Sequence, residues 1–425
     1  MNPDTAAGEL APVEHSRNAT FVVVALFPLA FILAGLLIDT PAEIFSGLVR
    51  ILTSRDTLIT DYMGIGGIGA AFTNAGLLTL AALGVYYRSS AKIDGVAIAC
   101  LLIVLGCGMF GKSLLNVWFI VLGVFLYSKF KHERFATHIN TAFFGTALAP
   151  IFTEILFSTM LPLHFSLPLG ILTTLALGFV LVPASAQLFK AHMGFTLYNI
   201  GFTAGILGTL IVALYKSYGF IPDPVFIWTT GNNLLFGWML SAMFIFMAVV
   251  GLLLDRDALK KLAHMMRQSG QAPTDFVSST GLGPTLVNMS LTGAIGTAYV
   301  LLVGSDLNGP TIGAILTVVG FSAYGKHPGN ILPIIIGVFI ASLAKPWSAD
   351  DPSIVLAALF GTTLAPIAGR FGWHWGIVAG FLHSSVVQSV VHLHGGLVLY
   401  NNGFAAGLIA TILVPVIIAL QRPAK

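Results

Sequence analysis

Long uninterrupted apolar runs, separated by short polar stretches, set the rhythm of this chain. Seven lie near 20–38, 66–87, 93–111, 114–129, 140–160, 167–188 and 194–215. Seven more lie near 233–254, 281–303, 309–325, 331–345, 354–369, 372–390 and 396–420. A helix that crosses a bilayer needs about 20 predominantly apolar residues, and the runs at 21–38 and 233–254 are of that kind. The runs are continuous rather than alternating, which predicts helices and not the strands of a barrel. The fourth and fifth runs of each set are short for full crossings, short enough to be half-helices or re-entrant elements.

The two sets of seven are copies of one another. A shift of 214 positions aligns Gly67 with Gly281, Asn74 with Asn288, Gly106 with Gly320, Gly111-Lys112 with Gly325-Lys326 and Asn116 with Asn330. A shift of 216 aligns Phe144-Gly145-Thr146 with Phe360-Gly361-Thr362, and Pro150 with Pro366. A shift of 202 aligns Leu197-Tyr198-Asn199 with Leu399-Tyr400-Asn401. The changes of shift fall where polar loops tolerate insertion or loss. Asp39 and Asp255 each close a Leu-rich run. The expected organisation is a polar tail over 1–19, a first membrane repeat over 20–220 and a second over 221–425.

An odd number of crossings per repeat inverts the second copy, and the positive-inside rule decides the parity. With all fourteen runs crossing and a cytoplasmic N-terminus, fifteen Lys/Arg fall inside and five outside; with the fifth run re-entrant in both copies the split is 11 to 9. The predicted fold is therefore an all-α integral membrane protein of two inverted-topology repeats. Such repeats are typical of transporters, with the solute site near the midplane where the repeats meet.

Composition agrees and narrows the chemistry. The 425 residues are 56% hydrophobic and 9% charged, far below the roughly 25% charge of soluble domains. The net charge of +3 gives no reason to expect nucleic acid. Cys100 and Cys107 share a helix face and read as packing residues. No HExxH or GxSxG motif is present, and no GxGxxG follows a predicted strand; no metal, cofactor or ATP hydrolysis is expected.

Polar residues inside apolar runs are the candidates for a site, because an amide in hydrocarbon is costly unless bonded. Asn74 and Asn288 recur, as solute-facing amides or as interhelical packing. Phe-Gly-Thr-x-Leu-Ala-Pro recurs at Phe144 and Phe360. Its Pro150 and Pro366 are expected to break their helices, and Thr146 and Thr362 to face one another across a polar cavity. Tyr198-Asn199 and Tyr400-Asn401 are the expected neighbours, beside G-x-x-x-G faces at Gly201 and Gly403. Lys112 and Lys326 are boundary charges or, set deeper, attractors of an anion. Glu154 and Arg370 occupy equivalent positions with opposite charge. His383 sits within an apolar run, and histidine suits a proton relay or pH gate; His374, His392, His394 and Gln388 lie nearby. Glu154, Arg370, His383, Lys112 and Lys326 form the gating or relay set.

Leu-Asn-Gly-Pro-Thr-Ile-Gly at Leu307, Phe-Gly-Lys at Phe110 and the two Leu-Tyr-Asn motifs, on the duplicated layout, resemble an uncharacterised family of bacterial multi-pass membrane proteins, a domain of unknown function. The resemblance covers most of the chain and implies no activity. Asn308-Gly309 with Gly313, and the tandem architecture, are similar to urea transporters, which implies inverted halves with half-helices. Leu161-Pro162 and Leu167-Pro168 lack the rest of that family's Leu-Pro-x-x-Thr-x-Pro-Phe signature.

The reading is a bacterial inner-membrane transporter or channel for a small polar solute, either neutral and amide-like or a small anion, with both termini cytoplasmic. Its partners are the solute and the lipid bilayer, and a homo-oligomer is open. The alternatives are an intramembrane enzyme using His383, His392 or Glu154, and a structural membrane protein.

Overall fold

The computed structural model describes residues 17–158 and 161–421. The expected tail lies almost wholly outside them, as do Arg422 and Lys425 of the charge count. Among the described residues the chain forms twenty α-helices, ten in each repeat and in matching order. Nine are long and apolar enough to cross a membrane when each helix interrupted by a 3-10 turn is taken as one.

The loops collect at two ends. At one end Gly95 donates its N–H to Asp275 (3.2 Å), Gln271 reaches the Met193 carbonyl (2.7 Å) and His327 meets the Gln268 carbonyl (3.0 Å). At the other, Arg55 pairs with Asp223 (3.2 Å) and Glu154 (3.7 Å), Asn233 reaches Ser305, and Leu58 N–H reaches Gly396. Each of the fourteen apolar runs leads from one end to the other. The fifth run, expected to be short, belongs to a span over Phe135–Phe157 and its counterpart to one over Pro352–Phe371. The third and fourth are the short ones. Gly95–Cys107, Trp118–Phe130 and Gly309–Phe321 have 13 residues each, or about 20 Å of helix, less than the roughly 30 Å of a hydrocarbon core.

The centre of the molecule is the pair Gly95–Cys107 and Gly309–Phe321, equivalent helices from the two repeats. Both are apolar all round and almost entirely buried, as a helix with no water-facing side must be. They pack so closely because small residues meet: a Cβ on Gly106 would lie 2.7 Å from the Gly313 carbonyl oxygen, and one on Gly320 3.1 Å from Ala99 Cα. Gly95 lies against Ala323 and Gly106 against Gly313, so the two helices run antiparallel. Equivalent helices that pack antiparallel are related by an axis perpendicular to them. The second repeat is therefore the first turned over.

Around this pair the polarity is inside-out. The Phe135–Phe157 and Pro352–Phe371 spans are each 83% buried over their best window, whereas the opening helices, Thr20–Ile38 and Asn233–Leu254, are 28% and 22% buried. Leu29, Leu33 and Leu37, and Leu234, Trp238 and Leu253, are exposed on those opening helices, as a lipid-facing surface requires. Asp39 and Asp255, which close the Leu-rich runs, serve the next long helix. Asp39 accepts Gly69 N–H at 2.7 Å, and Asp255 lies against Gly283.

Two outcomes are expected. Gly106→Val, which places its side chain in the helix crossing, costs about 1–3 kcal/mol, read as a lower melting temperature in detergent. Gly84→Val, with no neighbour within 4 Å of its Cβ position, leaves it unchanged. In a cysteine-free background, single cysteines at Arg134 and Arg256 react with an impermeant reagent from the same side of sealed vesicles, and one at Asp350 from the opposite side. Labelling of Arg134 and Arg256 from different sides would overturn the fourteen-run topology.

Candidate functional site

The two Gly-Lys motifs follow the buried short helices. Gly111 (φ +74°) and Gly325 (φ +128°) adopt conformations that favour glycine, and they turn the chain sharply enough for Lys112 N–H to return to Cys107 and Lys326 N–H to Phe321. Neither glycine has room for a side chain: Leu399 fills the Cβ position of Gly111, and the Gly270 carbonyl that of Gly325. The turn carries each lysine inward. Lys112 and Lys326 are both 0% exposed, so they are not boundary charges.

Each lysine is held by the other repeat. Lys112 Nζ donates to Tyr400 Oη at 2.6 Å and lies 4.7 Å from the centre of that ring. Lys326 Nζ donates to Tyr198 Oη at 2.7 Å, 4.6 Å from its ring centre, and to Thr362 Oγ1 at 2.8 Å. Among the described residues no carboxylate comes within 4 Å of either ammonium.

The Phe-Gly-Thr and Leu-Tyr-Asn motifs also meet crosswise. At each Phe-Gly-Thr the helix tightens into a 3-10 turn, Thr146–Leu148 and Thr362–Leu364. The interruption expected at Pro150 and Pro366 takes this form: the helix ends at Gly145 or Gly361 and resumes at Ala149 or Ala365. Each proline is the second residue of the resumed helix, where a missing N–H costs nothing. The tightened turn frees carbonyls, and the other repeat takes them: Leu399 N–H bonds Ala147 O (3.0 Å), and Leu197 N–H bonds Thr363 O (3.1 Å). Thr146 and Thr362 share no described contact. Thr146 bonds its own helix at Phe143, while Thr362 also accepts from Lys326.

The paired asparagines serve the turns that carry the lysines. Asn74 Nδ2 donates to Gly108 O (2.6 Å) and Lys112 O (2.9 Å), and its Oδ1 accepts Leu114 N–H (3.1 Å). Asn288 Nδ2 makes the equivalent bonds to Ser322 O and Lys326 O, both 2.8 Å. Its Oδ1 has no hydrogen-bond partner among the described residues. The reason is in the sequence: Pro328 stands where Leu114 stands in the first repeat, and proline has no N–H to give.

The remaining expected residues are placed as follows. Asn199 and Asn401 are engaged by histidines seven residues before them, His192 (3.0 Å) and His394 (2.9 Å), and donate to the Ser185 and Val387 carbonyls. His383 is buried, bonds Asn402 at 3.0 Å and packs its ring on Gly361. Glu154 is buried at the end that holds Arg55, while Arg370 is half-buried at the opposite end. His374 and His392 are exposed.

Two buried carboxylates escaped the reading of the sequence. Asp56 accepts from Tyr62 Oη (2.6 Å) and Asn116 Nδ2 (2.9 Å), and its counterpart is Gly270. Asp61 caps the helix Tyr62–Gly66, accepts from Thr229 and lies against Gly309. Asp61 recurs as Asp275, which was a usable signal; Asp56 does not recur. Among the described residues no group of His, Cys, Asp and Glu side chains is arranged to hold a metal.

A cavity of about 170 Å³ lies between the repeats. Asn140, Thr141, Phe144, Tyr198, Asn199 and Gly201 line it from the first repeat, and Phe321, Tyr324 and Tyr400 from the second. Its floor is the crossing of Asn199–Ser217 with Asn401–Gln421. There Tyr400 Cβ and Tyr198 Cβ lie 3.1 and 3.4 Å from the Cβ position of Gly201. Of the expected residues it unites Tyr198, Asn199 and Tyr400; Asn74, Asn288 and His383 are not on its wall.

Residues 40–217 and 254–419 each match one protein family, described as Protein of unknown function (DUF1576). No curated protein and no solved structure matches, so the likeness to urea transporters rests on the Asn308-Gly309 motif and the tandem layout alone.

Replacing the asparagines tests their burden directly. Asn74→Leu abandons three backbone groups and Asn288→Leu two, at about 1–3 kcal/mol for each buried group left unmet. The melting temperature in detergent falls in both, and further in Asn74→Leu.

Proposed function

The chain belongs to the DUF1576 family, and we propose that it is a transporter or channel for a small polar solute bound where its two inverted repeats meet. The observation that carries this reading is the cavity floored by Tyr198 and Tyr400, each phenol held by a buried lysine of the opposite repeat. Polar and charged groups deep in a membrane protein are expensive and mark solute or ion paths. Here they converge on the junction of inverted repeats, where such proteins place their sites.

The proposal carries the rest of the assignment. The protein resides in the bacterial inner membrane, with the lysine-rich end, which bears Arg134 and Arg256, in the cytoplasm. It has two membrane repeats over 20–220 and 221–425 and no enzymatic activity.

Purified protein in lipid vesicles is expected to speed the equilibration of at least one of urea, formamide, glycerol, nitrate and formate, read by stopped-flow light scattering. Thr141→Trp, which enlarges a side chain on the cavity wall, returns the rate to that of protein-free vesicles. No acceleration for any of the five would overturn the reading.

A further inference from the structure

We propose that the solute is a small anion, received by the hydroxyl hydrogens of Tyr198 and Tyr400 in the field of Lys326 and Lys112; this rests on the transport reading and narrows it. The argument is one of hydrogen-bond direction. An ammonium has donors and no acceptor. With both lysines protonated, the phenol oxygen accepts in each lysine–tyrosine bond, and each phenol keeps its own hydrogen to give. Among the described residues neither hydroxyl donates to another group. Both tyrosines line the same cavity, and their Cβ atoms flank one point on Gly201. On this proposal both free O–H donors belong to this cavity, each polarised by the lysine bonded to its oxygen, an arrangement that strengthens donation.

Charge points the same way. Two ammonium groups at 0% exposure face no carboxylate within 4 Å among the described residues. A buried charge without a partner is costly, and an anion in the cavity supplies the missing partner twice over. The buried carboxylates are already taken: Asp56 by Tyr62 and Asn116, Glu154 by Arg55 and the Asp223 N–H. A cation would meet two like charges at this floor. A neutral amide could use its carbonyl oxygen at the two hydroxyls but would bring no charge to the two lysines. At about 170 Å³ the cavity suits an anion of a few atoms rather than a large organic one.

The experiment pairs binding with flux. Chloride, nitrate and formate, with urea as the neutral probe, are added to detergent-purified protein at constant ionic strength set with gluconate, and unfolding is followed by intrinsic fluorescence. At least one anion raises the melting temperature saturably, as a ligand of the folded state must, and crosses vesicle membranes faster with the protein than without; urea does neither. Lys326→Met and Tyr198→Phe weaken anion binding by about tenfold or more, as expected for a lost hydrogen bond to a charged group. Should Lys326→Met not fold, Tyr198→Phe, which removes only the hydroxyl, carries the test. Urea stabilising and crossing while no anion does so overturns the anion and leaves the transport reading standing. An anion effect unchanged in Tyr198→Phe overturns this site. No binding and no flux by chloride, nitrate or formate overturns the anion; the same result extended to urea, formamide and glycerol overturns both readings.

Discussion

Hydrocarbon offers no hydrogen bonds, so a polypeptide inside it must satisfy every backbone group from its own resources. In this protein neither repeat can do so alone. The 3-10 turn at Thr146–Leu148 exposes the Ala147 carbonyl, and only Leu399 of the second repeat supplies the N–H. The same turn at Thr362–Leu364 is completed by Leu197 of the first. The N-terminus of Gly95–Cys107 takes the Asp275 carboxylate, and that of Gly309–Phe321 lies on Asp61. The buried lysines obey the same rule with side chains. Each half is thus an incomplete structure whose missing partners are in the other, and the solute-sized cavity is a by-product of that exchange.

Much of this could be read from the sequence, and the reasons differ by element. The duplication was legible because glycines, prolines and amides mark backbone geometry, and geometry is what both copies retain. Inversion was legible from the distribution of Lys and Arg, because charge at the ends is independent of internal packing. The Phe-Gly-Thr and Leu-Tyr-Asn motifs were recognised as belonging to one site, but not that they bond one another, since a motif repeated in both halves pairs as readily within a half as across it. The proline marked the interruption but not its shape: at the second residue of the resumed helix its missing N–H is harmless, and the chain turns in the three residues before that helix. Asn74 and Asn288 were legible as important, but the choice between a solute-facing amide and interhelical packing was not, since both roles call for a buried amide. The lysines were open between boundary and interior because depth depends on whether a short helix ends before the interface. Asp56 was invisible, since it lies in a loop and has no counterpart.

The copies agree in backbone more closely than in chemistry. Asn74 finds a third partner in Leu114 N–H, whereas Asn288 meets Pro328. Thr362 accepts from Lys326, whereas Thr146 is bonded only to its own helix. Gly145 packs on the aliphatic Leu181 and Gly361 on the imidazole of His383. Asp56, with Tyr62 and Asn116 around it, stands where the second repeat has Gly270 pressed on the Gly325 carbonyl.

Those mismatches have a consequence for the two ends. Two identical inverted halves would present the same chemistry toward both ends of the molecule. Any difference between the ends must come from the places where the halves differ, and the buried carboxylate of Asp56, where the other repeat has the bare backbone of Gly270, is one of them. A single methylene-carboxylate, present toward one end and missing from the other, makes the two ends chemically distinct.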